Sequence, residues 1–278
     1  MNTVNNKTRD EYLAGDFKPL TTESSILVSS SKYLNSARLR DVLAHEALRK
    51  DGFDLPLTGL LPEFMHAINE LHDYQQDLQA VLEERKRLPE FAAFLDERFL
   101  SNLQGEDLKR CAPGTLGAEV HEYMTRTGMN INFQREAEQF TDDLHYYTRR
   151  SGQCHDVEHI VTGLGPNPWG EMALIFFKAT MDSNYFSPAV ASIIHRQILT
   201  STGTYFIKTN LHYPHLMPGL LDAFRLGVEM SKRVTKQFLY IKWEDYWDTP
   251  LDEVRRELNI YGYPPKGSWD WTDAAHRG

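Results

Sequence analysis

The sequence predicts an all-α fold, a single multi-helix domain. Apolar residues recur at helical spacing along most of the chain, and prolines and cap-forming residues punctuate those stripes. Strand evidence is thin: only 203–208, with Thr204, Tyr205, Phe206 and Ile207, fits a short strand, and it fits a buried connector equally well. No internal repeat or low-complexity linker divides the 278 residues. One domain is therefore expected over 20–262, between an N-terminal tail at 1–19 and a C-terminal tail at 263–278 whose Trp269 and Trp271 could dock on the body.

The stripes follow in order. Leu39, Val42, Leu43 and Ala47 form the first. Pro62 opens a longer one through Phe64, Ile68, Leu71, Leu78 and Leu82, and Pro89 opens Phe91, Phe94 and Leu95. Thr115 is a natural cap for Leu116, Val120, Tyr123 and Met124. The helices of His155 and Glu171 come next. Pro188 then opens Val190, Ile193, Ile194 and Gln197, Pro218 opens Leu220, Phe224 and Val228, and Thr249-Pro250 starts Leu251, Val254 and Leu258.

The totals narrow the function classes. With 30 basic and 39 acidic residues the net charge is -9, which opposes a phosphate-backbone partner, so no nucleic acid is expected. Arg85-Lys86-Arg87, Arg149-Arg150 and Lys232-Arg233 read as solvated helix faces, and Arg225 with Glu229 as a helix-face ion pair. Cys111 and Cys154, the two cysteines, supply no disulfide framework and fit a reducing compartment. The longest uninterrupted apolar run, 172–177, has six residues, far short of the roughly 18–20 a membrane span needs. The polar N-terminus has neither the apolar run of a signal peptide nor the Arg-rich bias of a transit peptide. A cytoplasmic protein is expected, with peripheral attachment to the inner face of a membrane left open.

The densest chemistry lies at His155-Asp156-Val157-Glu158-His159, followed after eleven residues by Glu171. Imidazoles four apart sit about 40° apart on one helix face, and Asp156 is taken to share that side. The breaker-rich stretch 162–168 must turn the chain. Asn167 can cap a second helix with Pro168 as its first residue, which puts Glu171 in the first turn, where it can face back toward the histidines. Neutral imidazole and carboxylate suit a borderline divalent ion. The plainer alternative is a chance pairing among eleven histidines, with Asp156 serving as a helix-end charge. Asp after the first histidine excludes the metalloprotease pattern. Cys154 could add a soft ligand or be a small core residue. Arg149, Arg150 and Lys178 could steer a carboxylate or phosphate, or be surface charges. His212 and His215, flanking Pro214, read as loop residues. A phosphohydrolase site would need His121 or His145 together with Asp182 or Asp222.

This region resembles the coenzyme Q (ubiquinone) biosynthesis protein family, type four, which carries His-Asp-x-x-His, eleven residues, then Glu. Pro113-Gly114-Thr115-Leu116-Gly117 with Tyr123-Met124 is similar to its segment ahead of the motif. Thr162-Gly163 and Gly170-Glu171 sit as in its turn. Trp243-Glu244, Pro250-Leu251, Val254-Arg255 and Leu258-Asn259-Ile260 look like its C-terminal signature. The resemblance runs from Pro89 to Ile260.

It implies a divalent metal held by His155, Asp156, His159 and Glu171, zinc first and iron or manganese as alternatives. Asp156 and Glu171 would be the catalytic carboxylates. It implies a prenyl-lipid slot between helices, with Met172, Ile175, Phe176 and Ala179, and Val190, Ile193 and Ile194, as walls that would otherwise be ordinary core. The implied activity is oxidative removal of the ring carboxyl group from a prenylated 4-hydroxybenzoate-type precursor; the alternative is a non-catalytic scaffold presenting quinone intermediates. Implied partners are a prenylated aromatic lipid, other enzymes of the pathway and a membrane surface; a homodimer is left open. The missing presequence points to a bacterial homologue.

Overall fold

The computed structural model describes residues 29–50, 60–101, 105–127 and 140–277. They form helices α1 (Lys32–Asn35), α2 (Ala37–Leu48), α3 (Leu61–Asn69), α4 (Tyr74–Arg87), α5 (Pro89–Glu97), α6 (Leu116–Thr127), α7 (Asp143–Thr162), α8 (Pro168–Tyr185), α9 (Pro188–His212), α10 (Met217–Ser231), α11 (Leu251–Glu257) and α12 (Trp271–Arg277). No strand occurs among the described residues, and the fold is all-α. The expected tail at 1–19 lies outside the described residues.

Helix α7 begins where the Asp142 side chain accepts from the His145 amide, and ends at Gly163, whose φ of 71° is left-handed. Asn167 caps α8 by accepting from the Gly170 amide. Both helices are buried along most of their length and form the centre of the molecule. On one side α10 runs against α8 so closely that a Cβ on Gly227 would lie 2.1 Å from the Ala173 carbonyl oxygen. On the other, the 25-residue α9 packs on α2, α3, α4 and α8.

Two sequence expectations change. The stripe from Phe64 to Leu82 is two helices, because Asp73 accepts from the amides of Gln75 and Gln76 and starts α4 afresh. Residues 203–208 are neither strand nor connector but the middle of α9. There Thr202 and Thr204 turn their hydroxyls back on the Ile198 and Ser201 carbonyls, and Thr202, Tyr205 and Thr209 form a buried face at helical spacing.

Segments distant in sequence are tied together beside α7. Leu116 and Leu251 donate backbone hydrogen bonds to the carbonyls of Thr249 and Gly114, joining the Pro113–Gly117 turn to the Pro250 turn. Gly117 has no room for a side chain there: a Cβ would lie 2.5 Å from the Cys111 sulfur. Residues 263–277, expected as a tail, lie on the body: Trp269 and Trp271 meet Trp169 edge-on at 6.1 and 4.9 Å between ring centres.

One charge expected on a solvated face is buried with structural partners instead. Arg150 is buried, forks onto Glu244 at 3.2 and 3.1 Å and donates to the Ile241 carbonyl. Arg225 pairs with Asp222 and Glu229 with Lys232, each three apart, rather than Arg225 with Glu229.

Candidate metal centre and its cavity

The turn between α7 and α8 brings three side chains together. His159 Nε2 lies 2.8 Å from Glu171 Oε2, and His155 Nε2 lies 3.2 Å from His159 Nε2 and 3.2 Å from Glu171 Oε1. Among the described residues this is the one convergent group of three or more His, Cys, Asp or Glu with ligand atoms within 4.8 Å of one another. Glu171 reaches it because Asn167 holds the first turn of α8: its carbonyl accepts from the Glu171 amide at 2.8 Å. Gly170 makes the approach geometrically feasible, since a Cβ there would sit 1.8 Å from the Gly165 carbonyl oxygen.

The imidazole of His159 is buried, and its Nδ1 donates to the Leu164 carbonyl at 2.6 Å. The carbonyl only accepts, so Nδ1 bears a hydrogen and Nε2 is the nitrogen that faces Glu171. Two imidazole nitrogens and a carboxylate oxygen thus crowd one point, an arrangement that a proton or a cation between them stabilises. Burial works to raise the Glu171 carboxyl, but the facing histidines outweigh it and hold the carboxyl well below its ordinary range. Burial likewise works to lower His155, and the neighbouring Glu171 charge raises it above the usual imidazole value. The donor set of two nitrogens and one oxygen fits a borderline divalent ion, and the hydrogen bond on the far side of His159 is the support such ligands normally receive.

Asp156 does not join this group. It follows His155 by one residue, about 100° around the helix. Its carboxyl is buried, with Oδ2 lacking any hydrogen-bond partner among the described residues. Burial raises its pKa, with the charges of His155 and His159 acting in the opposite sense. Tyr123 is buried beside the same carboxylates, and burial followed by the charges of Asp156 and Glu171 pushes its hydroxyl pKa up. Cys154 stays out of the centre: it is a core residue whose thiol burial pushes up to about 12. His121, His145, Asp182 and Asp222 likewise do not assemble with the motif. His212 closes α9 rather than lying in a loop, and its Nε2 contacts the Leu48 carbonyl; His215 sits in a short 3-10 turn.

His155 and Glu171 border a cavity of about 460 Å³. Its apolar walls include Met172 and Ile175 of α8 and Ile193, Ile194 and Ile198 of α9. Phe176, Ala179 and Val190 are not among them: Phe176 packs on the Phe224 ring and Val190 in the core beneath α9. Along α7 the lining runs from His155 back to Leu144, about 16 Å of helix at 1.5 Å per residue. The Leu144 end is polar, bordered by Tyr74, whose hydroxyl donates to Asp142, and by an ion pair between Asp77 and Arg196. The cavity therefore has the metal-type donors at one end, an apolar middle and a polar far end.

Two cavity-lining residues were less legible in the sequence. Lys178, one alternative for which was a surface charge, is buried and paired with Glu158 of the motif helix. Burial favours its neutral form, but the Glu158 charge outweighs this and raises its pKa. Arg196 borders the cavity from α9 and carried no motif; only its spacing on the face of Ile193 and Ile194 could have located it.

The fold resembles a crystal structure of a Nostoc punctiforme protein, with a TM-score of 0.60, 22% identity and coverage of 81% of this chain and 96% of that one. The chain is 26% identical to the mitochondrial ubiquinone biosynthesis protein COQ4 of Uncinocarpus reesii, over 68% of this chain and 69% of that protein. It is 27% identical to the mitochondrial COQ4 homolog of Rattus norvegicus, over 69% of this chain and 74% of that one. Residues 77–264, which include both helices of the centre and the C-terminal signature, match the family Coenzyme Q (ubiquinone) biosynthesis protein Coq4, and the chain belongs to that family.

Proposed function

We propose that this protein acts in ubiquinone biosynthesis as a metal-dependent enzyme on a prenylated 4-hydroxybenzoate-type acid, replacing the ring carboxyl group with hydroxyl. The observation that carries the proposal is the convergence, among the described residues, of three protein donors, His155, His159 and Glu171, at one end of an apolar cavity. Three protein ligands leave coordination positions for substrate or solvent, whereas structural sites are closed by four. In balance, the aromatic acid, dioxygen and water give the phenol, carbon dioxide and hydrogen peroxide. The ring C–C bond breaks, a C–O bond forms, and dioxygen takes the electron pair.

A divalent ion in this site supplies Lewis-acid polarisation of ring carboxylate or phenolate oxygens. The chain's own residues do the rest. His159 is fixed in orientation and tautomer by Leu164, so its Nε2 is pre-set as a donor. Met172, Ile175 and Ile194 give the tail an apolar environment and exclude water from the ring. Lys178, bound to Glu158, puts a cationic side chain in the same wall and favours an anionic ring substituent. A prenylated substrate partitions into bilayers, so its delivery calls for contact with a membrane surface and with neighbouring enzymes of the pathway. No described helix is long and apolar enough to cross a membrane.

The test follows carbon dioxide from a carboxyl-labelled prenylated 4-hydroxybenzoate under oxygen. Protein loaded with zinc, iron(II) or manganese(II) would be compared with His159→Ala. Release dependent on one ion and lost in the variant is expected. No release with any ion, while prenylated lipid still co-purifies, would replace the enzyme with a scaffold.

A further inference from the structure

The stretch that follows the family match, from residue 265 onward, lies against the turn that builds the metal centre. Asp270 Oδ1 accepts from the Asn167 side-chain amide at 3.3 Å. The other end of that amide caps α8 through the Gly170 amide at 2.9 Å, and the Asn167 carbonyl takes the Glu171 amide. Asp270 therefore sets which way the Asn167 amide faces, and Asn167 holds the residue that carries the carboxylate ligand.

Trp169, two residues before Glu171, is gripped from two sides. Trp269 and Trp271 meet it edge-on, and behind it Gly219 of α10 leaves so little room that a Cβ would come within 2.1 Å of its ring. The segment's own shape is fixed by a turn at Gly267, with φ 77°, closed by the Asp270 amide on the Gly267 carbonyl at 3.1 Å. Lys266 anchors the segment to α6 through Glu119 and Glu122.

We infer that residues 266–273 are a strap that positions Glu171, through Asp270–Asn167 and the Trp169 clamp, and so sets the affinity of the centre for its divalent ion. The inference rests on the proposed metal site. Asp270 and the tryptophans are positioning residues: none is among the convergent donors. A ligand whose backbone anchor can shift loses pre-organisation, and support shells of this kind typically govern affinity about ten- to a hundredfold.

The experiment measures Zn²⁺ affinity of the full chain by competition with a chromophoric chelator, alongside Asp270→Ala, Asp270→Asn, Trp271→Ala and a chain ending at Gly267. Asp270→Ala is expected to weaken binding about tenfold and the shortened chain more, whereas Asp270→Asn keeps an acceptor for Asn167 and should bind like the parent. Co²⁺ in the site gives absorption bands that report the ligand field, which a loss of general stability does not move; they should shift in Asp270→Ala and recover in Asp270→Asn. Should the shortened chain lose its fold, the point variants decide. Unchanged affinity and cobalt bands in folded Asp270→Ala and Trp271→Ala would overturn the strap while leaving the metal site standing. A parent chain that takes up no ion would overturn the site itself.

Discussion

His159 Nδ1 lies 2.6 Å from the carbonyl oxygen of Leu164, five residues on in the same chain. The contact is possible because Gly163 takes a left-handed φ of 71° and swings the chain back past the end of α7. A side chain on Gly163 would also strike the Tyr263 ring, so the turn is closed on both faces. One backbone carbonyl thereby decides which imidazole nitrogen faces Glu171, and the decision is made by the turn rather than by the motif.

The donors should separate on substitution. His159→Ala and Glu171→Gln are expected to lower divalent-ion affinity by at least about a hundredfold, because each removes a converging donor; Asp156→Asn should cost about tenfold or less. Metal content after dialysis against a weak chelator, together with chelator competition, checks this. An Asp156→Asn loss as large as that of His159→Ala would place Asp156 among the ligands.

Filling the cavity should separate lipid from metal. Ile194→Trp projects an indole from α9 into a space of about 460 Å³, on a helix that contributes none of the three donors. The prenylated lipid extracted from purified protein should fall sharply while bound metal is unchanged. Equal lipid recovery from parent and variant would remove the cavity as its site.

The sequence exposed this centre because its parts are local. An i, i+4 histidine pair, a breaker-rich turn, an Asn cap and a first-turn Glu are all set by spacing and backbone chemistry. What stayed hidden depends on long-range packing. Arg150 meets Glu244 and Lys178 meets Glu158 only once α7 is packed against the chain that follows it. The C-terminal segment, polar and rich in glycine and proline, could be recognised as docked only through Trp169. The helix at 203–208 was obscured by its β-branched and aromatic residues, whose strand preference yields here to a buried helical face. Asp156 lies one position on from His155 and outside the three donors that converge, since adjacent positions on a helix diverge.

The Arg150–Glu244 fork should act as a staple rather than as substrate recognition. Glu244→Ala leaves a buried guanidinium without its carboxylate and is expected to cost about 3–5 kcal/mol. The double variant Arg150→Met with Glu244→Leu should recover most of that. Urea unfolding of the three proteins measures the coupling. Full stability in Glu244→Ala would show that the Ile241 carbonyl and Gln153 suffice to hold the charge.

Asp182 should make the protein less stable as pH rises. Burial pushes its carboxyl up to about 6, against the opposing influence of the Lys178 charge and the hydrogen bond from Gln237. The ordinary value is 3.8, so between the two the folded chain keeps a proton that the unfolded chain has released. Stability from this group is therefore complete below the unfolded value, declines as pH climbs through about 6, and stays reduced above that. The shift corresponds to about 3 kcal/mol at most. Asp182→Asn keeps an acceptor for Gln237 Nε2, which lies 2.8 Å from Oδ1, and carries no charge to desolvate. The variant should be more stable than the parent at pH 8 by about 1–3 kcal/mol, with the gap closing toward pH 4. Denaturant unfolding across that range measures it. A variant weaker than the parent at pH 8 would mean that the ionised carboxylate is held by Lys178, and by His195 at 4.0 Å, more strongly than burial opposes it.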